Sequence, residues 1–259
     1  MADDLCLIEC EGGIVWIRIN RQHALNALDA AAHRAIAAAL DTFEADPALR
    51  VAILTGAGER AFCVGSDLKA RAQTNADDHP ATGFAGLTHR FGLAKPVIAA
   101  VNGLAIGGGV EIVVACDLAI AADHAEFSLP EPRVGLAALG GGGLQRLARH
   151  MPLKFAMDLV LTGRRLTATE AQQIGLINDV VPSADLEVRA RAMANLIIAG
   201  APLAIEASKR VMLESLQFGD LETALRHRYE AAERMLASDD AKEGQAAFVE
   251  KRLPNWQGR

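Results

Sequence analysis

Two glutamates twenty positions apart, Glu111 and Glu131, each lie beside a run that forces the chain to turn. Glu111 ends Gly103-Leu104-Ala105-Ile106-Gly107-Gly108-Gly109-Val110-Glu111, where three glycines close a strand-like apolar run and open a helix-like one. Glu131 sits between two prolines in Phe127-Ser128-Leu129-Pro130-Glu131-Pro132-Arg133-Val134-Gly135. A glycine run at a helix start exposes backbone N–H groups with no partner inside the helix, and the aligned peptide dipoles make that end electropositive. Such an end suits an oxyanion. With both carboxylates brought to it, one takes a proton and the other gives one, beside donors that hold developing negative charge. Singly, each glutamate has an ordinary explanation: the dipole alone favours an acid in a first helical turn, and a glutamate between prolines can be plain solvated charge.

A second glycine turn lies upstream. Val51 to Thr55 reads as a buried strand, and after a turn and a short apolar stretch the chain reaches Gly65-Ser66-Asp67, a loop entering a helix capped by Ser66 or Asp67. The backbone at Ser66 is therefore another candidate N–H donor. Alone, this turn is an ordinary strand-to-helix connection; two such turns with two carboxylates form a constellation.

The elements that must position these groups follow from patterning. Ile14 to Asn20 alternates like a strand, and residues 29–45 carry alanines around Ile36, Leu40 and Phe43 with Asp29 as cap, which predicts a helix. Val97 to Val101 and Leu118 to Ala122 are short apolar runs of the kind that form buried strands. Beyond Gly143 the pattern turns helical, at about 153–163, 168–174, 185–199, 202–216 and 220–237. The stretch from Ala70 to Leu87, with Asp77-Asp78-His79-Pro80 and Gly83, reads as a loop. His79 in it and His89 just after it lack a positioned partner in sequence and read as surface or packing groups.

With 259 residues, 51% of them hydrophobic, the chain can bury a sizeable core as one α/β domain with a helical C-terminal extension. A net charge of −6 argues against a nucleic-acid partner, whose phosphates require clustered Lys and Arg. No apolar run reaches the roughly 18 residues of a membrane span and no signal-peptide pattern opens the chain, so the expectation is a cytoplasmic protein without a membrane partner. Cys6, Cys10, Cys63 and Cys116 show neither metal nor redox spacing, and Cys116, among Val113, Val114 and Leu118, reads as a buried small hydrophobe. No two histidines share zinc-site spacing, so no metal is expected.

The segments Asn20-Arg21 with Ala24-Leu25-Asn26-Ala27-Leu28, Ala61 to Lys69, and Ala99 to Gly103 continuing to Cys116-Asp117 resemble the enoyl-CoA hydratase/isomerase, or crotonase, superfamily. The resemblance continues through Pro130-Glu131, Val134-Gly135, the run Gly140 to Gly143 with Gln145-Arg146-Leu147, Leu161-Thr162-Gly163, Glu170-Ala171, Gly175-Leu176 and Phe248-Val249-Glu250-Lys251-Arg252. It implies a spiral of β-β-α units over residues 1–200 and a helical trimerisation region over 201–259, with trimers or paired trimers as the assembly. It further implies an acyl-CoA thioester as substrate, coenzyme A being part of that substrate and no separate cofactor being needed. The thioester oxygen would lie between the backbone N–H groups of Ser66 and Gly108. Lys69 and, across a subunit boundary, Phe248 and Lys251 would meet the nucleotide end of coenzyme A. Hydratases of the superfamily carry two glutamates at the positions of Glu111 and Glu131, whereas many isomerases keep only the second, so hydration is the expected reaction. Dehydration of the carnitinyl-CoA kind, double-bond isomerisation, and RNA binding or another interaction role on the same fold are the alternatives. One departure stands out: Ala137-Ala138-Leu139-Gly140 lacks the proline that many members place before the glycine run, which bears on the backbone near Glu131 and the shape of the acyl pocket.

Overall fold

Strand pairing sorts the apolar runs into two sheets, in a computed structural model that describes residues 5–74 and 79–259. The strands are β1 (Cys6–Glu11), β2 (Ile14–Ile19), β3 (Val51–Gly56), β4 (Ala61–Cys63), β5 (Val97–Val101), β6 (Leu104–Ile106), β7 (Leu118–Ala122), β8 (Glu126–Ser128), β9 (Leu166–Thr167) and β10 (Asp179–Val181). The larger sheet has the order β1-β2-β3-β5-β7-β10 and the smaller the order β4-β6-β8-β9. Only the β1–β2 pairing is antiparallel in the larger sheet. Successive strands thus alternate between sheets: β3 then β4, β5 then β6, β7 then β8. After α1 (Ala30–Ala45), these pairs lead into α2 (Leu68–Thr74), α3 (Gly108–Ala115) and, through a 3-10 turn at Glu131–Val134, α4 (Gly143–His150). The result is the expected spiral of β-β-α turns.

Two-residue periodicity divides the core. From β2, Val15, Ile17 and Ile19 face a large cluster with Leu40 and Phe43 of α1. On the opposite face, Ile14 and Trp16 join Ile53, Ile98 and Ile120. After α5 (Leu153–Thr162) and α6 (Ala168–Gln173), helix α7 (Leu186–Ile198) covers that face with Leu186, Ala190 and Ala194. Both faces of the parallel strands are covered, which is why they read as continuous apolar runs.

Beyond it lie α8 (Pro202–Ser215), α9 (Leu221–Arg226), α10 (Glu230–Leu236) and α11 (Asp239–Glu250). The single helix expected over 220–237 is two. The rings of Phe218, His227 and Tyr229 pack in sequence at 4.8 Å, and the Tyr229 hydroxyl donates to the Ala224 carbonyl at 2.8 Å. These contacts turn the chain out of α9. The loop expected over 70–87 is also corrected: residues 70–74 belong to α2, and Phe84–Gly86 form a buried 3-10 turn whose Ala85 N–H donates to Nδ1 of His33. Asp77 and Asp78 lie outside the described residues. Among the described residues no single helix is long and apolar enough to cross a membrane.

Two buried asparagines join the sheets. Asn102 accepts the Gly56 N–H at 3.0 Å and donates to the Gly58 carbonyl at 2.6 Å, while Asn26 accepts the Arg21 N–H at 3.0 Å and donates to Ala61 at 2.7 Å. Asn26 also has φ of 58°, a left-handed conformation that penalises alanine. Asn26→Ala leaves buried backbone groups unpaired and adds that penalty, so it is expected to cost about 2–4 kcal/mol. Thermal unfolding checks this: the midpoint should fall by roughly 5–15 °C, with Asn26→Gly less affected. An Asn26→Ala protein that melts with the wild type contradicts the assignment.

Candidate active site

The N-terminus of α3 is pressed into the mouth of the spiral by the glycine run. Gly107 has φ of 57°, which turns the chain from β6 into the helix. A Cβ on Gly108 would lie 2.4 Å from Cζ of Phe84, and one on Gly109 would lie 2.0 Å from the Cys63 carbonyl oxygen. The helix end therefore approaches β4 and the 3-10 turn more closely than any side chain permits.

This approach brings the two candidate N–H donors together. A Cβ on Gly65 would meet the Gly108 nitrogen at 3.1 Å. Ser66 follows directly, and its neighbours bond to Leu28: the Leu28 N–H donates to Gly65 and the Asp67 N–H to Leu28, both at 2.8 Å. In extended backbone successive N–H groups alternate, so the Ser66 N–H faces away from Leu28. Among the described residues, neither the Ser66 nor the Gly108 N–H donates to a protein acceptor. The Ser66 turn is fixed by Asp67, which caps α2 by accepting the N–H groups of Lys69 and Ala70 at 3.1 and 3.2 Å. Buried Arg21 bridges Asp67 at 3.0 Å and Asp29 at 2.9 Å and donates to the Ala27 carbonyl. The Ala70 N–H, reinforced by the Arg21 guanidinium, holds the Asp67 carboxyl below the usual carboxylate range.

Glu111 is in the first turn of α3 and only 3% exposed. Its Oε1 accepts the Gly143 N–H at 3.0 Å, and Gly143 is the first residue of α4. The carboxylate thus meets the positive ends of two helices. Gly141 and Gly143 wrap it closely: Cβ atoms there would lie 2.7 Å from the Glu111 Cβ and 2.9 Å from its Cγ.

Glu131 enters from the other side, at the start of the 3-10 turn after β8. Its Oε1 faces Gly107, where a Cβ would sit 2.9 Å away, and its Oε2 is buried with no hydrogen-bond partner among the described residues. Burial pushes the Glu131 carboxyl above the usual carboxylate range; its own backbone N–H opposes this, and the charge of Glu111 pushes it further up. The left-handed Gly135 and the Leu136 N–H, bonded to the Glu131 carbonyl at 2.9 Å, close this turn without the proline common in the superfamily.

Glu111, Glu131, Ser66 and Gly108 therefore converge. The arrangement can polarise a carbonyl with two N–H donors and move protons between two unlike carboxyl groups next to it. Lys69 is exposed on α2, three residues after Ser66. Phe248, 85% exposed, and Lys251 lie on and just after α11, in a different region of the chain. His79 packs edge-on to His33 at 4.7 Å and near Phe84, and His89 stacks with Phe91, as packing groups do. Cys116 is buried, and burial pushes its thiol up. Among the described residues no group of three or more His, Cys, Asp or Glu could hold a metal ion. Sequence reasoning missed the Gly143 N–H, Phe84 and the bridging role of Arg21, since each acts through a tertiary approach that spacing does not display.

The family model for enoyl-CoA hydratase/isomerase matches residues 9–259. Curated relatives include proteins named carnitinyl-CoA dehydratase from Proteus mirabilis, 43% identical over 253 residues, and from Salmonella arizonae, 45% identical over 256 residues. The alignments cover 96% and 95% of this chain and 96% of each relative. Crystal structures of enoyl-CoA hydratases from Mycobacterium marinum and Mycobacterium tuberculosis superpose with a TM-score of 0.93 at 42% and 41% identity, covering 99% of this chain and all of theirs. Matched by the family model over residues 9–259 and by these relatives over nearly its full length, the chain belongs to the enoyl-CoA hydratase/isomerase family.

Proposed function

We propose that the protein is a hydro-lyase that adds water across the 2,3 double bond of a trans-2-enoyl-CoA thioester. The observation that carries this reading is the convergence of Glu111 and Glu131 on the Gly107–Gly108 turn beside two unspent backbone N–H groups. The thioester oxygen accepts from Ser66 and Gly108, which draws electron density from Cβ. Glu111 takes a proton from water as its oxygen bonds to Cβ, the enolate is held by the two N–H donors, and Glu131 gives a proton to Cα. The raised proton affinity of Glu131 suits the acid role, though two interacting carboxylates titrate as a pair. An isomerase needs one carboxylate to carry a proton along the chain; a second, buried and held by Gly143, favours hydration.

Lys69 and, from a neighbouring copy, Phe248 and Lys251 are proposed to hold the nucleotide end of coenzyme A. Exposed Leu213, Leu216, Leu221, Leu225, Phe248 and Val249 supply an apolar surface suited to a trimer or paired trimers built from residues 201–259. A second reading is dehydration of a carnitinyl-CoA thioester, favoured by the names of the 43% and 45% identical relatives. It reverses the same bond changes, so the two readings differ in the acyl group and not in the carboxylate chemistry.

The test is a screen of purified protein against trans-2-enoyl-CoA thioesters of graded length and a crotonyl-CoA bearing a terminal trimethylammonium group, following loss of the conjugated absorbance. Turnover restricted to the cationic ester selects the second reading; no turnover of any ester rejects both. On the substrate so found, Glu111→Gln and Glu131→Gln should each lower kcat by about 10²–10⁴ while binding of a saturated acyl-CoA stays nearly unchanged. Wild-type rates in both variants would falsify the two-glutamate mechanism.

Glu131 also carries a stability signature. Its folded-state proton affinity is raised, so its favourable contribution is complete below the unfolded carboxyl value of about 4.3 and is lost as pH rises through the folded value. Glu131→Gln is therefore expected to be more resistant to urea than wild type near neutral pH, with the difference shrinking toward pH 4. A pH-independent difference sinks this account. Removal of residues 240–259 should weaken both coenzyme A affinity and assembly; a truncated protein of unchanged size by light scattering, with unchanged affinity, rules out the shared nucleotide site.

A further inference from the structure

Arg146 belongs to the Gln145-Arg146-Leu147 motif, and the proton-transfer scheme gives it no task. Its position is nevertheless particular. Nη1 donates to the Gly141 carbonyl at 2.8 Å, and Nη2 donates to the Thr88 carbonyl at 2.5 Å. Gly141 is one of the two residues, with Gly143, whose missing Cβ lets the chain close on Glu111. Thr88 is fully buried and ends the segment that begins at Phe84, and its N–H bonds back to the Phe84 carbonyl at 3.2 Å. Phe84 is the ring against which Gly108 is packed. One guanidinium therefore grips both walls of the site: the glycine shell around a carboxylate and the platform under an N–H donor.

We propose that Arg146 is a positioning residue that fixes the Glu111 carboxylate relative to the Gly108 donor by tying Gly141 to Thr88. The planar fork is suited to this, because two donors at fixed separation set the distance between two carbonyls, which a single ammonium does not. The glycines make it necessary. The run Gly140 to Gly143 has no side chains of its own to pack, and Gly142 is left-handed at φ of 73°, so the loop requires an outside anchor to keep the Gly143 N–H on Glu111. Arg146 is itself rigid here: its own N–H bonds to the Gly142 carbonyl at 3.1 Å. Its positive charge also faces Glu111 across this loop, with Cys116 nearby and His150 and Arg149 on the same helix.

The inference rests on the hydro-lyase reading for its kinetic arm but not for its structural one. In Arg146→Met, amide hydrogen exchange of the peptides covering 138–144 and 84–90 should accelerate about tenfold or more while the strands β3, β5 and β7 keep wild-type protection. On the substrate found above, kcat should fall about tenfold to a hundredfold, with KM and the affinity for a saturated acyl-CoA changed less than about threefold, since a misplacement of about 1 Å costs on that scale. The acid limb of the pH–rate profile should move to higher pH, because a positive charge has left the carboxylate pair. Arg146→Lys keeps that charge and loses the fork, so it should retain the wild-type acid limb and still lose kcat. Unchanged exchange in both segments overturns the proposal whether or not any ester is turned over; so does Arg146→Met with wild-type kcat. Uniformly faster exchange with equal losses in kcat and binding assigns Arg146 to general stability and also overturns it. If Arg146→Met does not fold, Arg146→Lys decides: wild-type exchange and kcat there reject the fork.

Discussion

Everything at the site depends on how closely the N-terminus of α3 approaches the end of β4. The separation is set by absent atoms: side chains at Gly108 and Gly109 would enter the Phe84 ring and the Cys63 carbonyl. Because the helix end advances that far, the Gly108 N–H reaches the same space as the Ser66 N–H, and Glu111, one turn on, reaches the N-terminus of α4. The electrostatic consequence is larger than any one contact. Under the proposed reaction, two donors and two helix ends would already be oriented where charge develops, so little reorganisation would accompany it.

The same constraint explains the effort the fold spends nearby. Arg21 with Asp29 and Asp67, and the asparagines at 26 and 102, pair buried backbone and charge around turns that neither sheet holds alone. A buried ion pair is a poor source of net stability, since desolvation offsets much of its attraction. It is a good means of fixing geometry, because one arrangement satisfies every member. Asp67 shows the coupling: the carboxylate that caps α2 also orients the peptide that presents Ser66.

The sequence made the long elements legible and the close approaches illegible. Val51 to Thr55, Val97 to Val101 and Leu118 to Ala122 are visible because strands covered on both faces must be apolar throughout. By contrast β4, β6, β8 and β9 have only two or three residues, too few for a period, and β1 exposes most of its side chains and so carries no burial signal. Glu111 and Glu131 stood out because glycines and prolines mark turns locally. Gly143 and Phe84 did not, because their partners lie 32 and 24 positions away and nothing in the intervening chain encodes the meeting. Lys69, Phe248 and Lys251 came from resemblance alone; a single chain places Lys69 by the Ser66 turn and the other two at α11, and their joint nucleotide site is a proposal.

The two carboxylates are equal in charge and unequal in surroundings, and that inequality decides how the site can work. Glu111 is enclosed by glycines and has a backbone donor that belongs to a helix end. Glu131 has a buried oxygen with no donor among the described residues, a state that costs free energy. A carboxylate in the first setting is held as an acceptor. One in the second is stabilised by holding a proton, and the charge of its neighbour strengthens that preference. On the proposed reading, direction is set by environment and not by residue type: one glutamate would receive a proton and the other release one. In the proposed reaction the unpartnered Oε2 of Glu131 is the oxygen that would carry the proton to the reacting carbon.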